Sequence, residues 1–243
     1  MLLAAAALAA ALVQSSPAAA PAPDARAVVL KAIQAAGGEE ALRAHPALAW
    51  RGNATVTLPD RSRLALTGRW RLVPPDRARV ETQLAEGGAA TLRRLIVDGG
   101  RGWSDSQGQA EPLSANALAN EREQFALYAV LRLVPLLDAD YRLTLLEGQA
   151  DGGPGLRVAH AGRHDVDLFF DGSYRPVRLR TQIINPETGT LIDEQVVLSG
   201  TMESHGVRWF KTLAISWDAK PFFGVELTEF EALPTLPDEL FKP

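Results

Sequence analysis

The residues best placed to do chemistry are His160 and His164, which flank Ala161-Gly162-Arg163. That spacing sets two imidazoles facing each other across a hairpin turn. Strand parity groups His160 with Leu156 and Val158, and His164 with Val166, Leu168 and Phe170, so both belong near the rim of one apolar face. Two imidazoles begin a metal site, but a third ligand is needed, and Asp165 and Asp167 have the opposite parity. The pair reads as polar hairpin residues, and no metal is assigned. A hydrolase would need His160 or His164 within hydrogen-bond reach of a carboxylate in a cleft. The sequence holds no Gly-x-Ser-x-Gly elbow, and Ser173 falls in the turn Asp171-Gly172-Ser173-Tyr174. Asp151-Gly152-Gly153-Pro154-Gly155 lacks the Lys of a phosphate loop and precedes no helix, so it reads as a hairpin. No catalytic residue and no cofactor follows from these motifs.

Arginines form a second charged feature. Arg61, Arg63, Arg69 and Arg71, with Arg77, Arg79, Arg93 and Arg94 nearby, fall on adjacent strands. They read as a solvated convex face balanced by acids. The functional alternative is a contact surface for anionic lipid headgroups.

Composition narrows the classes further. The chain has 243 residues, 47% hydrophobic and 22% charged, with no cysteine. Disulfides, Cys-ligated zinc and a Cys nucleophile are thereby excluded. A formal net charge of -4 argues against a nucleic-acid partner. Residues 1–13 are an apolar run with no Lys or Arg before it, broken by Gln14-Ser15-Ser16-Pro17. Such a run is too short to span about 30 Å of hydrocarbon. Ala18-Ala19-Ala20 suits a signal peptidase, so residues 1–20 read as a cleaved signal peptide and residues 21–243 as one exported domain. No Cys stands at the cleavage point, so the exported protein is not lipidated.

These residues must be carried by a mainly antiparallel sheet. Asp24 caps a helix through about Gln34, Gly37-Gly38 ends it, and a short helix over 39–44 follows. From Trp50 the period changes to 2. Leu64, Leu66, Gly68, Trp70 and Leu72 alternate with Arg63, Ala65, Thr67, Arg69 and Arg71. Pro74-Pro75-Asp76 turns the chain, Ala78, Val80, Thr82 and Leu84 continue, and residues 91–97 return. Asp98-Gly99-Gly100 is a hairpin signal. Residues 114–137 hold no Gly and read as a helix capped by Ser114, with Glu121-Arg122-Glu123 as its solvated side and Pro135 ending or kinking it. Strands resume over 141–146, 156–160, 164–170, 176–184, 191–198, 207–217 and 222–230. The fold class is α+β, mainly antiparallel β. About 10–11 strands make a single strongly curved sheet, or unclosed half-barrel, with helices lidding its concave apolar face.

The order of elements resembles the LolA/LolB family of periplasmic lipoprotein carriers and the larger superfamily of outer-membrane lipoprotein-sorting proteins. Ala35-Ala36-Gly37-Gly38, the segment from Val97 through Gly102 to Trp103, Leu168-Phe169-Phe170-Asp171, Pro176-Val177-Arg178-Leu179 and the closing Leu240-Phe241-Lys242-Pro243 carry it. The resemblance implies a divergent member whose lidded concave face holds acyl chains.

On this reading the cavity is lined by Trp70, Leu72, Val80 and Leu84 from the first strands. Leu143, Val158, Phe170 and Leu179 line it from the later strands. Leu118, Phe125, Tyr128 and Leu131 belong to the lid over 114–137. The alternative is that these side chains fill one another's space. An acyl chain of about sixteen carbons offers on the order of 10 kcal/mol at roughly 0.8 kcal/mol per CH2. The function expected is therefore a non-enzymatic carrier in the periplasm of a Gram-negative bacterium. It would act as a monomer, with an acylated lipoprotein or lipid as ligand and a membrane-associated donor or acceptor protein as partner. A sensor of the same fold, acting through a protein partner, is the alternative, and an exposed apolar patch away from the cavity would favour it.

Overall fold

The computed structural model describes residues 24–106, 108–148 and 151–243, so the leader assigned to residues 1–20 lies outside the described residues. Asp24 accepts the Arg26 amide at 3.2 Å and starts α1 (Ala25–Ala35), which buries Val28, Val29 and Ile33. A short α2 (Glu39–Ala44) follows.

Period-2 alternation then builds β1 (Ala47–Thr57), β2 (Arg63–Val73), β3 (Arg77–Leu84), β4 (Arg93–Asp98), β5 (Arg101–Ser106) and β6 (Ala110–Pro112) as a meander. Next comes α3 (Ala115–Leu131). After it run β7 (Tyr141–Leu145), β8 (Gly155–His160), β9 (Val166–Phe170), β10 (Pro176–Ile184) and β11 (Leu191–Ser199). A separate hairpin of β12 (Met202–Ser204) and β13 (Val207–Trp209) precedes β14 (Thr212–Trp217) and β15 (Lys220–Leu233). The main sheet holds 13 strands in the order β6-β5-β4-β3-β2-β1-β15-β14-β11-β10-β9-β8-β7. Its last strand in sequence therefore pairs with its first, while β6 and β7 remain unpaired edges and leave the sheet unclosed.

The sheet is strongly curled. In its order β3 and β9 stand seven places apart, about 34 Å if the sheet were flat, at about 4.8 Å per strand. Yet Arg163, in the β8–β9 turn, lies 3.4 Å from Asp76, in the β2–β3 turn. One large apolar core fills the concave side. On the convex side a small cluster of Ala47, Leu236 and Phe241 sits beneath the closing turn Asp238–Phe241.

Three local expectations are corrected. There are more strands than the 10–11 expected, partly because residues 207–217 are not one strand. The chain leaves the sheet to pair β13 with β12, so that Trp209 packs over Trp50 and Phe230, and rejoins it at Thr212. Residues Gly88–Thr91 form a 3-10 turn, and the strand expected from 91 starts at Arg93. The helix over 114–137 ends at Leu131, where Leu133 takes a left-handed φ of 63° and Pro135 opens a 3-10 turn, Val134–Leu137.

Candidate functional site

Register sets which side chains share the concave face. Trp50 lies opposite both Trp70 and Phe230, Trp70 opposite Val80, and Val80 opposite Leu95. The rings of Trp50 and Trp70 stack at 6.3 Å. Tyr128 of α3 comes down on Trp50 at 5.4 Å, and Trp209 stacks on Phe230 at 6.0 Å. This aromatic group fills the middle of the concave side.

Burial differs at the two ends of the strands. At one end Leu48, Leu72, Ala78, Leu168 and Leu179 are fully enclosed. At the other, Val56, Leu66, Leu84, Ile215 and Phe223 are only half-buried, and Leu64 is 39% exposed. The pairings Val56 with Phe223, Phe223 with Ile215, and Leu66 with Leu84 keep these on the same face. The concave side is thus packed at one end and presents an open apolar surface at the other.

The twelve residues expected to line the cavity divide accordingly. Trp70, Leu72, Phe125, Leu131, Val158, Phe170 and Leu179 are buried in the core, and Val80, Leu118, Tyr128 and Leu143 pack half-buried against it. Leu84 is half-buried at the open end. The fold brings them together on one side of the sheet, with Leu72, Phe170 and Leu179 wholly enclosed by other groups. A cleft of about 250 Å³ between the end of α1 and β10 reaches Leu131 alone of the twelve. A smaller one of about 30 Å³ beside α3 reaches only Val158.

Helix α3 is strapped across the concave side. Ser114 caps it, accepting the Ala117 amide at 3.2 Å. A Cβ on Gly102 of β5 would stand 2.9 Å from Leu118 Cδ1, and one on Gly189 would stand 2.8 Å from Asn116 Nδ2. Bare backbone on both arms of the sheet therefore lets the first turns of the helix seat closely. Asn120 donates to the Ile184 carbonyl at 2.7 Å. Glu123 accepts the Ile184 amide at 2.9 Å and lies 2.7 Å from His164 Nδ1.

The assignment of Glu121-Arg122-Glu123 as a solvated side is overturned, since only Arg122 is exposed. The physical reason is that a helix lying across a curled sheet has protein on both flanks. The two histidines line the same small cleft beside α3, but with different partners. His160 packs on Tyr141 at 4.8 Å, while His164 meets Glu123. Both Glu123 oxygens are engaged, so the pair fastens helix to sheet.

Charges inside the concave side are unusual. Glu194 points inward from β11, and its Oε2 accepts from Trp217 Nε1 at 2.8 Å and from Gln124. Its Oε1 has no partner among the described residues. Burial raises the Glu194 carboxyl, against the pull of those two hydrogen bonds. Burial, and then the Glu194 charge, push Glu121 up to about 7. The Tyr128 hydroxyl is raised by burial and by both carboxylates. At the far end of α3, burial lowers Arg132 to about 10, and it donates to the Leu42 carbonyl. The indole N–H groups of Trp50 and Trp209 find no acceptor among the described residues.

The arginines expected on the convex face behave differently, and register moves Arg93, opposite Thr82, to the face of Val80 instead. Arg71, Arg79 and Arg94 converge on Glu81 at 3.2, 3.0 and 3.6 Å, and Arg77 pairs with Asp238 at 2.6 Å. Arg61, Arg63, Arg69 and Arg93 are exposed.

No protein-family model and no curated protein matches the sequence. The fold, however, is similar to that of solved structures. A LolA superfamily protein from Nitrosomonas europaea superposes with a TM-score of 0.60 at 15% identity, covering 91% of this chain and 99% of that one. A protein described as an outer membrane lipoprotein-sorting domain, from Vibrio parahaemolyticus, gives 0.56 at 12%, covering 90% and 97%. A DUF1329 family protein from Desulfovibrio piger gives 0.58 at 8%, covering 90% and 97%. The chain thus has a LolA-like fold.

Sequence reasoning missed Glu121, Gln124, Glu194 and Trp217. One signal was present. Glu194 shares parity with Ile192, Val196 and Leu198, so a carboxylate interrupts an apolar face.

Proposed function

We propose that this protein binds the acyl chain of a lipoprotein or lipid on its concave face and carries it without catalysis. The observation that supports this reading is the graded burial of that face. Packed side chains hold the shape at one end, while Val56, Leu66, Ile215 and Phe223 leave apolar surface uncovered at the other. Covering such a surface with an acyl chain releases roughly 0.8 kcal/mol per CH2 before ordering costs. The free indole N–H groups of Trp50 and Trp209 suit an ester carbonyl, a neutral acceptor in an apolar wall. With residues 1–20 removed as a leader, the carrier works as a monomer in the periplasm of a Gram-negative bacterium. Its protein partner is a membrane-associated donor or acceptor of that ligand.

Neither alternative gains as much support. Among the described residues four large apolar side chains are exposed, Leu30, Leu64, Leu191 and Val197. They lie on α1, β2 and β11, the two on β11 six residues apart, and so form no docking patch for a sensor. His164 and Glu123 meet the distance condition for a hydrolase, yet both Glu123 oxygens are committed to holding α3.

Native mass spectrometry of protein purified from the periplasm without detergent tests the proposal. A co-purifying acyl species, lost when Phe223 or Leu66 is replaced by Glu, is expected. Protein at its bare sequence mass, still empty after incubation with a palmitoylated peptide, overturns it.

A further inference from the structure

We propose that Glu121 and Glu194 form a seat for the ammonium head of an amphiphile whose tail lies on the open apolar surface. The proposal rests on the acyl-binding reading and adds the head-group class.

The seat is built where α3 meets β11, which Gln124 joins to Glu194. Glu194 is 1% exposed and faces inward between Ile192 and Val196. One of its oxygens is held by Trp217 and Gln124, while the other, enclosed by protein, meets no donor among the described residues. Glu121 stands one helical turn before Gln124, the α3 residue that reaches Glu194, and so shares that flank of the helix. Among the described residues neither has a cationic partner.

Two neighbouring carboxylates in an apolar enclosure are costly unless a cation or a proton joins them. Glu194 fastens α3 through one oxygen only, and Asn120 and Glu123 bind the helix to Ile184 independently, so the second oxygen has no part in that fastening. An ammonium group offers three donors, enough for the free Glu194 oxygen and for Glu121. Aromatic faces stand beside the carboxylates. Trp217, whose indole N–H holds Glu194, stacks on Phe222 at 3.5 Å, and Tyr128 lies one turn beyond Gln124 on α3. Such faces favour a cation further. The tail has a path, since Ile215, two residues from Trp217 on the same face, opposes Phe223. A carboxylate head has no donor for the free Glu194 oxygen, and an alcohol head brings one donor but no charge.

Calorimetric titration of the full protein with decylamine, decanol and decanoate, three heads on one tail, is the test. Decylamine is expected to bind about tenfold tighter than decanol, and decanoate weaker than both. Glu194→Gln and Glu121→Gln should each bring decylamine to within about threefold of decanol while leaving decanol unchanged. Both changes nearly conserve shape, and the head-group comparison on unmodified protein needs neither. Equal affinities for the three heads, or a preference that survives Glu194→Gln, would mean that the carboxyls share only a proton. That overturns the seat and leaves acyl binding standing. Failure of all three to bind overturns both.

Discussion

Glu123 Oε1 lies 2.7 Å from His164 Nδ1, and the other Glu123 oxygen takes the Ile184 amide at 2.9 Å. One side chain of the strap helix thereby holds β10 and the turn before β9 at once. Glu123→Ala would leave an amide hydrogen and an imidazole without their acceptor inside a narrow cleft. A loss of about 2 kcal/mol in urea unfolding is expected. Amide exchange at Ile184 should quicken with it. Unchanged stability and exchange would show that the clamp does not hold the helix.

Leu118 and Gly102 set the closeness of helix and sheet. A Cβ at Gly102 would stand 2.7 Å from Leu113 Cδ1 and 2.9 Å from Leu118 Cδ1. Both are ends of flexible side chains, so Gly102→Ala should cost about 1–2 kcal/mol rather than unfold the protein. The check is a double-mutant cycle. Leu118→Ala should cost less beside Gly102→Ala than alone, and strict additivity would mean that the two positions do not meet.

On the convex face, burial alone would raise Glu81, but hydrogen bonds and charge from Arg79 and Arg71 outweigh it and hold the carboxyl below its ordinary 4.5. A folded-state value below the unfolded one gives stability that is complete above the unfolded value and is lost as pH falls through the folded one. Glu81→Gln should therefore cost about 1–2 kcal/mol near neutral pH. The gap to unmodified protein should close on acidification. A gap that persists in acid would assign the loss to packing.

Local pattern carried much of this fold and long-range pairing did not. Alternation from Leu64 to Leu72 marked β2 and its inward face, and Ser114 marked the start of α3. That β15 would pair with β1, or that β14 would join β11 across the β12–β13 excursion, is written in no local period. The break at Phe210 was hidden for the same reason, because Trp209 leaves the strand for partners distant in sequence, Trp50 and Phe230. At the candidate site, parity placed Trp70 and Leu179 on the concave face. It could not separate the enclosed end from the open one, since that depends on what the helices cover. Glu121 was read as solvated because its neighbours Arg122 and Glu123 are charged. Only the curl of the sheet, which lets α3 reach Glu194 through Gln124, takes Glu121 one turn away out of full solvent.

The carboxyl pair makes stability fall as pH rises. Glu121 is raised from 4.5 to about 7 by burial first and then by the charge of Glu194. Glu194 is itself raised, with Glu123 adding charge from the helix. Between those limits the folded protein keeps a proton on Glu121 that the unfolded chain releases. Stability is therefore greatest below the unfolded value, declines as pH climbs toward about 7, and levels off above it. Glu121→Gln removes the ionisation and leaves the side-chain volume nearly unchanged. It should stabilise the protein at about pH 8 by on the order of 1–2 kcal/mol, allowing for the surface Glu121 still shows to solvent. At about pH 4 the variant and the unmodified protein should unfold alike. Thermal melts of both across this range decide the matter. A variant that is less stable at every pH would show that Glu121 is held by hydrogen bonds rather than strained by its neighbour.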